Sequence, residues 1–436
     1  MQKIDGSQLI GEVTLDDLEK AVGGTITFSA CVHKIRKMSG FSFIILRTGK
    51  YILQSVYTSK DCEGDFDAVC EGAYVKITGG VKKEERANYG YEINLSAFEI
   101  LSLPAEEYPL HVSSKKLGCS IETSMAHRSV ALRHPEQRAV FKIAEGVVSG
   151  FREFMLSQNF TEIHTPKIVA AGAEGGANIF KLKYFDKDAY LAQSPQFYKQ
   201  TCVAFFDRVF EIAPVYRAEK HNSTRHLNEY IGLDFEMGFI NDMHDVMETE
   251  TAMLKYVVDY LSKNYDHELK MLNAVLPVIK DIPSVTFFEA LDILGKSHNQ
   301  FDLDPTDEVK LCEYAKENLD SEFIFVEKFP GLKRPFYAMD SKDDPKLAES
   351  FDLLFRGLEI TTGGQRIHDY QEQLDKLKRY HIEPEELGSY LEIHKYGMPP
   401  HGGLGIGLER VVMKLLNLSN IREASLFPRD IHHLDP

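Results

Sequence analysis

Acidic and basic side chains alternate through a segment that begins at Arg217 in this 436-residue sequence. Arg217 and Glu219 precede a polar stretch at 225–230, and the run that follows carries Asp234 and Glu236 between apolar residues. In a strand this alternation places both acids on one face, where burial is costly unless they are paired. We expect an arginine of the facing strand and the cations of the polar stretch to pair with them. The pattern indicates a cradle for a polyanion beside a cation site, and a buried ion-pair network without a function is the alternative.

A glycine-rich segment at 174–178 precedes the amide-rich stretch 193–200, which contains Gln196 and Lys199. Dense amides and a lysine beside a glycine-rich loop suit the recognition of a small polar substrate under a lid. A surface turn followed by the start of a helix would explain the same residues.

Oxygen-bearing side chains recur at Asp352, Glu359 and Thr362, shortly before Arg366. Mg²⁺ prefers one or two carboxylates together with phosphate oxygens, so this set is a candidate magnesium site. A solvated acidic strand is the alternative.

The glycine run 402–407 leads into an apolar helical pattern with Arg410 in its first turn. It does not predict a dinucleotide site, because the sequence that follows is too short for a βαβ unit. Strand, glycines, helix and arginine indicate instead a close backbone approach to a planar ligand on which Arg410 stacks. A turn that only lets a strand and a helix pack closely is the alternative.

The first part of the chain predicts strands. Five runs rich in Val, Ile, Phe, Tyr and Thr predict a small closed barrel of the OB type within residues 1–103. These runs are 24–35, 41–46, 51–57, 73–81 and 91–103. Residues 104–135 show no strong period and are predicted to be a hinge.

Residues 136–436 predict an α+β domain, an antiparallel sheet flanked by helices. Apolar residues recur at helical spacing after Pro135 and over 241–264. Extended runs predict an antiparallel pair at 208–217 and 230–240 and a further strand at 351–361. Residues 265–330 are mixed; we expect a small insertion there, and its sequence indicates no particular chemistry.

The net charge of −16 argues against a nonspecific polybasic nucleic-acid binder, although it leaves room for a local basic groove. The six cysteines include no C-x-x-C pair, which favours reduced thiols over a structural zinc site. The first residues lack the apolar stretch of a signal peptide, and no apolar run is long enough for a membrane span. We therefore expect a soluble, cytoplasmic protein.

Taken together, these segments resemble the motifs of class II aminoacyl-tRNA synthetases, specifically the archaeal and eukaryotic type of aspartyl-tRNA synthetase (class IIb). Residues around Thr165-Pro166 resemble motif 1, residues 215–236 motif 2 and residues 405–410 motif 3. The resemblance covers nearly the whole chain. It implies an anticodon-binding OB domain and a homodimer formed through motif 1 around Pro166. It also implies that the protein activates L-aspartate with ATP and transfers it to the 3′-OH of the terminal adenosine of tRNA.

The resemblance further implies roles for individual residues. Arg217 is expected to hold the α-phosphate of ATP and to stabilise charge in the transition state, with Glu359 and Arg410 as the other catalytic residues. The implied ATP contacts are Arg217, Glu219, Arg225, His226, Leu227, Tyr230, Glu359, Gly407 and Arg410. The implied magnesium ligands are Asp352, Glu359 and Thr362. The implied aspartate contacts are Glu174, Gln196, Lys199, Arg217, Asp234, Thr362 and Arg366.

Two departures from the family pattern keep the relevant chemistry. The family usually has Phe at the position of Tyr230, which should stack on adenine, and Ser at the position of Thr362.

Lys199 and Arg366 should clamp the side-chain carboxylate of aspartate. Because asparagine lacks that charge, two such cations could reject it by 10⁴–10⁵-fold, the order that polar sites reach.

In the barrel, Phe43 and Gln54 match family positions that stack on and hydrogen-bond the middle anticodon uridine. His33 and Asn88 match positions that bear on whether tRNA(Asn) is charged as well as tRNA(Asp). His33 resembles the relaxed kind, whereas Asn88 fits neither pattern. A local basic rim is predicted from Lys34, Arg36, Lys37, Lys82, Lys83 and Arg86.

Two other functions are compatible with parts of the pattern. One is an asparaginyl-tRNA synthetase, although the stretch from Gln196 to Lys199 looks aspartyl-like. The other is a catalytically silent paralogue that binds tRNA or a protein. Such paralogues often lose the arginine of motif 2 or motif 3, and Arg217 and Arg410 are both present.

Overall fold

The computed structural model describes residues 13–170, 172, 178–220 and 223–435. The chain divides into two compact units at the junction of His134 and Pro135. No helix in these described ranges is long and apolar enough to cross a membrane.

The first unit is built on a closed five-stranded barrel with the strand order β1-β2-β3-β5-β4. Its strands are β1 (Thr25–Lys37), β2 (Ser42–Arg47), β3 (Ile52–Tyr57), β4 (Tyr74–Lys83) and β5 (Tyr91–Ser102). The helix α1 (Leu15–Lys20) precedes them, and Thr14 begins it with a capping box to Asp17. Alternate strand residues such as Val32, Leu46 and Ile77 fill the interior. The OB-type barrel expected from the sequence is confirmed, with all five strands within a few residues of their predicted bounds.

The segment predicted as a hinge contains two short helices, α2 (Ile121–Ala126) and α3 (Arg128–Ala131). Ser120 caps α2 by accepting from the amide of Thr123. Leu110, Val112 and Ala131 form a small buried cluster of their own. Residues up to His134 thus form part of the first compact unit.

The second unit is built on an eight-stranded sheet with the order β12-β13-β14-β15-β16-β11-β10-β6. Its strands are β6 (Thr161–Glu162), β10 (Arg208–Tyr216), β11 (Glu229–Gly238), β12 (Ser284–Thr286), β13 (Phe323–Glu327), β14 (Ser350–Phe355), β15 (Leu358–Arg366) and β16 (His401–Gly407). Among the described pairs of this sheet, only the outermost ones, β10 with β6 and β12 with β13, are parallel. A separate three-stranded sheet contains β7 (Ile168–Val169), β8 (Lys181–Tyr184) and β9 (Lys187–Leu191). The predicted α+β class is confirmed.

The helices of the second unit are α4 (Pro135–Ser157), α5 (Gln196–Phe206), α6 (His244–Asn264), α7 (Asp266–Met271), α8 (Phe287–Ile293), α9 (Pro305–Asn318), α10 (Tyr370–Arg379), α11 (Gly388–Tyr396) and α12 (Leu408–Leu415). Several of them, among them α5, α6, α9 and α12, pack against the large sheet. Pro135 occupies the first position of α4, where its missing N–H costs nothing. The apolar stripe predicted for this helix, which includes Ile143, Val147 and Phe151, is buried in the main core.

The single strand predicted at 351–361 is wrong. The chain forms a hairpin there, because Arg356 (φ 46°) and Gly357 (φ 80°) make a tight turn between β14 and β15. The Arg356 side chain holds the turn by pairing with Glu322 at 2.6 Å and by donating to the carbonyl of Lys414 at 3.0 Å. The hairpin brings Asp352 directly opposite Thr362.

One further expectation differs from the fold: residues 265–330 are not set apart from the large sheet, since β12 and β13 extend its edge. The glycine run at 402–407 forms the strand β16 between β15 and β11 and leads into α12, so the alternative of a simple turn does not apply. A strand with so many glycines is unusual, and the missing side chains leave space beside it.

Candidate active site

A row of four residues crosses the middle of the large sheet. Asp234 on β11 faces Gly405 on β16, Gly405 faces Thr362 on β15, and Thr362 faces Asp352 on β14. Residues paired in this way project from the same face of a sheet. Three positions predicted to bind aspartate or metal are therefore neighbours, although they come from three different strands.

The glycines of β16 make space for the charged side chains of the neighbouring strand β11. A methyl group at Gly403 would lie 2.3 Å from Glu236 Oε2 and 2.2 Å from the carbonyl oxygen of Phe235. One at Gly405 would lie 3.1 Å from Asp234 Oδ1. The glycine strand is thus the floor of a polar cavity, as the expected close backbone approach requires.

Two cations and two acids form ion pairs on this floor. Lys199 Nζ, from α5, lies 2.9 Å from Asp234 Oδ1 and 3.4 Å from Glu236 Oε2. Arg366 Nε, from β15, lies 2.9 Å from Glu236 Oε1. Lys199 also donates to the carbonyl of Leu404 at 2.7 Å, and Arg366 to that of Gly403 at 2.8 Å. All four charged side chains are at least nine-tenths buried, so they neutralise one another in a dry environment.

These partners differ from the expected ones. The sequence suggested that Asp234 and Glu236 would pair with an arginine of the facing strand and with cations of the loop at 225–230. The position opposite Asp234 on β10 is another acid, Glu211, which binds Lys167 at 2.9 Å. The cations come instead from α5 and β15. Burial opposes ionisation of Glu236, but Arg366 and Lys199 outweigh it and lower the pKa of this carboxyl.

Glu359 lies at the start of β15, beside Thr362 and Arg410. Thr362 Oγ1 donates to Glu359 Oε1 at 2.8 Å. Arg410 Nη1, on α12, donates to the Glu359 carbonyl at 2.8 Å and lies 3.8 Å from Oε2. Burial disfavours the charged carboxylate, yet Arg410 and the Thr362 hydroxyl lower its pKa below the ordinary range. Glu359 is therefore an ionised oxygen donor.

Asp352 has a partner that the sequence analysis did not identify. Arg334 holds both of its carboxylate oxygens, at 2.9 and 2.7 Å, and stacks on Phe329 at 3.8 Å from the ring centre. Burial raises the pKa of Asp352 to about 6, with Arg334 acting against this shift and Glu359 adding to it. Among the described residues, no three His, Cys, Asp or Glu side chains form a ready metal cluster. Asp352, Glu359 and Thr362 nevertheless place three oxygen donors side by side.

The loop between β10 and β11 supplies the far wall. Arg225 forms an ion pair with Glu308 of α9, and Glu308 Oε2 also accepts from the amide of Glu359 at 2.8 Å. His226 Nδ1 lies 2.6 Å from Ser223 Oγ. Burial, reinforced by Arg410, lowers the pKa of His226 below 6.5, so its imidazole is neutral at physiological pH. Glu308 shows that residues 265–330 contribute to the site.

All the described residues predicted to bind ATP, aspartate or metal line one cavity of about 370 Å³. They are Gln196, Lys199, Arg217, Glu219, Arg225, His226, Leu227, Tyr230, Asp234, Asp352, Glu359, Thr362, Arg366, Gly407 and Arg410. The predicted contact Glu174 lies outside the described residues. The sequence analysis missed Arg334 and Tyr337 of the same wall. The Arg-Pro-Phe-Tyr stretch at 334–337, a cation beside aromatics, was the available signal.

The candidate base-binding residues lie on the barrel of the first unit. Gln54 Nε2 donates to Glu92 Oε2 at 2.6 Å, and Lys82 pairs with the same carboxylate at 2.7 Å. Phe43 is half-buried on β2 and makes an edge contact with Phe41 at 5.2 Å. His33 is buried where the β1–β2 pairing shifts register between Val32 and Lys34, which is a β-bulge. Asn88 is exposed in the turn before β5.

Three cations of the predicted basic rim are in ion pairs. Lys82 binds Glu92, Lys83 binds Glu19 at 2.8 Å, and Arg86 binds Glu84 at 2.9 Å. The positive charge available to a phosphate backbone is therefore smaller than the count of six cations suggests.

Comparisons with known proteins agree with this geometry. Residues 120–431 match the family model for class II tRNA synthetases (D, K and N), and residues 26–101 match that of an OB-fold nucleic acid binding domain. The aspartate–tRNA(Asp/Asn) ligase of Deinococcus radiodurans is 41% identical over 96% of this chain and 98% of its own. The aspartate–tRNA(Asp) ligase of Pyrococcus furiosus is 38% identical over 96% and 98%. The asparaginyl-tRNA synthetase of Pyrococcus horikoshii, solved with asparaginyl-adenylate, superposes with a TM-score of 0.90 at 29% identity, covering 98% of this chain and all of its own. With a matching catalytic family model and relatives of this similarity along nearly its whole length, the chain belongs to the class II tRNA synthetases of the D, K and N group.

Proposed function

We propose that this protein is an aspartate–tRNA ligase. The observation that carries the proposal is the convergence of Lys199 and Arg366 on the floor of the cavity, beside a wall lined by Arg217 and Arg410. Once the substrate ammonium group takes Asp234 from Lys199, the two buried cations suit a substrate side chain with a full negative charge, and an amide would leave Lys199 poorly compensated. The relatives named as aspartate–tRNA ligases support the same choice.

The aspartate subsite follows from the charges on the floor. Asp234 and Gln196 would receive the substrate ammonium group, which leaves Lys199 free to turn from Asp234 towards the substrate carboxylate. Arg366 would supply the second, bidentate contact while Glu236 keeps its guanidinium in place. Glu174 is proposed as a further ammonium partner.

ATP would occupy the other half of the cavity. Tyr230 and Arg410 would sandwich adenine, while Glu219, Arg225, His226, Leu227 and Gly407 would line the nucleotide and Arg217 would hold the α-phosphate. A neutral His226 can donate one N–H without repelling the neighbouring arginines.

Mg²⁺ fits the donor set on β14 and β15, because hard cations prefer oxygen ligands and Glu359 and Thr362 are hydrogen-bonded neighbours. Glu359 and Thr362 would hold the ion, with Asp352 close enough to assist directly or through water. When bound, Mg²⁺ neutralises charge on the phosphates.

In the activation step the aspartate α-carboxylate attacks the α-phosphorus of ATP, and the bond to the bridging oxygen of pyrophosphate breaks. The products are aspartyl-adenylate and pyrophosphate. Since the nucleophile is already ionised, the residues contribute orientation and charge stabilisation rather than proton transfer. The acyl group then passes to the 3′-OH of the terminal adenosine, and AMP leaves.

The barrel would read the anticodon. Glu92 holds the amide nitrogen of Gln54, so the carbonyl oxygen of that amide is left to accept from a base N–H. Phe43 would stack on the same base, and His33 and Asn88 would influence whether tRNA(Asn) is charged too. The relatives include a ligase named for tRNA(Asp) alone and one named for tRNA(Asp) and tRNA(Asn). The charging experiment below therefore uses both tRNAs.

We also propose a homodimer formed through the segment around Pro166, in the cytoplasm. Exposed apolar side chains support an interface on this unit: Leu156 at the end of α4 is 53% exposed and Ile168 on β7 is 47% exposed. The six cysteines are unpaired, as expected for a reducing compartment. Sedimentation of the purified protein, with Ile168→Asp as a disruptive variant, would test the dimer.

ATP–pyrophosphate exchange driven by aspartate or by asparagine tests the activity. We expect exchange with aspartate only. Exchange with asparagine only would establish the asparaginyl enzyme, and no exchange with either would establish a silent paralogue. Charging of purified tRNA(Asp) and tRNA(Asn) with labelled aspartate then decides the tRNA scope.

A further inference from the structure

The loop that carries Arg217 is tied together at its base by Asn228. The Arg217 amide donates to the Asn228 carbonyl at 2.9 Å. The Asn228 side-chain amide donates back to the carbonyls of Arg217 at 2.8 Å and Glu219 at 3.1 Å. The position of Arg217 in the cavity therefore depends on where Asn228 is held.

A segment far along the chain holds both arms of this loop. We call residues 419–433, which follow α12, the strap. The amide of Ile421 donates to the carbonyl of Thr224 at 2.9 Å, and the amide of Asn228 donates to the carbonyl of Arg429 at 2.8 Å. Arg429 also forms a β-bridge with Glu229, at the start of β11.

A buried ion pair between Arg422 and Asp430 joins the two parts of the strap that make these contacts. Arg422 Nε lies 2.5 Å from Asp430 Oδ2, and the Arg422 and Asp430 side chains are 8% and 5% exposed. Arg422 Nη1 donates to Asn420 Oδ1 at 3.3 Å. Asp430 Oδ1 accepts from the amides of His432 at 2.8 Å and His433 at 3.0 Å.

Two opposing effects act on the pKa of the Asp430 carboxyl. Burial opposes the charged carboxylate, but the hydrogen bonds from Arg422, the His432 amide and His433 lower its pKa to about 2. Burying two charges adds little net stability compared with apolar side chains, whereas their directional bonds fix a geometry. Neither residue is among the described residues that line the cavity.

We propose that Arg422 and Asp430 are positioning residues for Arg217: their ion pair sets the strap, and the strap holds the Arg217 loop through Thr224 and Asn228. The inference rests on the proposed function for the role of Arg217. It extends the catalytic apparatus to two residues that touch neither ATP nor aspartate.

The test is Asp430→Asn, which removes the charge but keeps an oxygen acceptor. Hydrogen–deuterium exchange would follow the backbone amides of residues 215–229, including those of Arg217 and Asn228. We expect these amides to exchange at least about tenfold faster, because the acceptor of the Asn228 amide on the strap is no longer fixed and the Arg217 amide bonds to Asn228 in turn. We also expect kcat of aspartate-dependent ATP–pyrophosphate exchange to fall about tenfold, as a displaced catalytic group would cause.

Glu162→Gln is the control. It breaks another arginine–carboxylate pair of the same unit, between Arg152 of α4 and Glu162 of β6 at 3.0 Å, at the edge of the large sheet. Even if it lowers the melting temperature as much as Asp430→Asn does, this variant should keep the wild-type hydrogen-exchange protection of residues 215–229 and the wild-type kcat.

Two outcomes would overturn the proposal: loop protection in Asp430→Asn equal to that of the wild type, or equal losses of kcat in both variants. Arg422→Lys, which keeps a cation but loses the guanidinium contacts, replaces Asp430→Asn if that variant does not fold. Loop protection is measured without substrates, so a failure of the aspartate ligase assignment in wild-type assays would be seen separately.

Discussion

Lys199 on α5 donates to Asp234 on β11 at 2.9 Å, and both side chains are buried. This bond joins a helix to the central sheet at the floor of the cavity. It also shows that the cation proposed to bind aspartate already has an acidic partner in the protein. Aspartate binding would therefore replace the Asp234 carboxylate beside Lys199 by the carboxylate of the substrate; it would not fill a positive site that lacks a partner.

Lys199→Ala should weaken aspartate binding far more than ATP binding. Loss of one charged hydrogen bond predicts a rise in KM for aspartate between about tenfold and about a hundredfold. ATP–pyrophosphate exchange at varied aspartate and varied ATP measures both. Lys263→Ala, which removes an exposed lysine paired with Asp259, is the control and should change neither value. Equal losses for the two substrates in Lys199→Ala would contradict the assigned role.

Arg217→Ala should lower adenylate formation by about a hundredfold or more, since it removes the cation proposed to stabilise the charge that develops on the α-phosphate. Arg217 lies in a loop at the end of β10, so the fold should persist, and the melting curve would verify this. Arg208→Ala, at the opposite end of the same strand, is the matched control. Near-normal exchange in Arg217→Ala would refute its part in catalysis.

Stability should depend on pH through Glu250 on α6. Burial raises the pKa of this carboxyl from an ordinary 4.5 to about 8, although a hydrogen bond from Thr361 acts the other way. Between these values the folded protein keeps a proton that the unfolded chain releases, so the free energy of unfolding falls as pH rises.

Glu250→Gln should therefore flatten the fall in stability between about pH 5 and pH 8, as measured by urea unfolding across this range. Glu248→Gln, at an exposed position two residues earlier in the same helix, should leave the slope as it is. An unchanged slope in Glu250→Gln would show that the carboxyl is not protonated in the folded state.

Phe43→Ala should weaken tRNA binding without changing ATP–pyrophosphate exchange, because Phe43 lies on the barrel while the residues proposed to bind ATP and aspartate line the cavity of the second unit. Stacking on one base contributes about 1–3 kcal/mol, which corresponds to a loss of affinity between about fivefold and about 150-fold. Filter binding of labelled tRNA(Asp) measures it, with Tyr74→Ala on β4 as an exposed aromatic control. An affinity equal to that of the control variant would remove Phe43 from the anticodon site.

The amino-acid sequence by itself determined the local elements and the kinds of side chain at the site. Apolar alternation is a short-range property, so the five barrel strands and the β10–β11 pair could be predicted. The same alternation placed Asp234 and Glu236 on one face of β11, where the structure has them.

Only the tertiary structure decided which residues pair with one another. Lys199 and Arg366 reach the two acids from α5 and β15, and Glu308 reaches Arg225 from α9. The sequence predicted one continuous strand at 351–361. The turn at Arg356 and Gly357 divides it in two and sets Asp352 beside Thr362. Such contacts depend on strand order and helix docking over long stretches of chain, and no periodicity within a short window records them. A buried charge accepts any partner of opposite sign that the fold brings within reach, so the identity of that partner is a property of the folded chain.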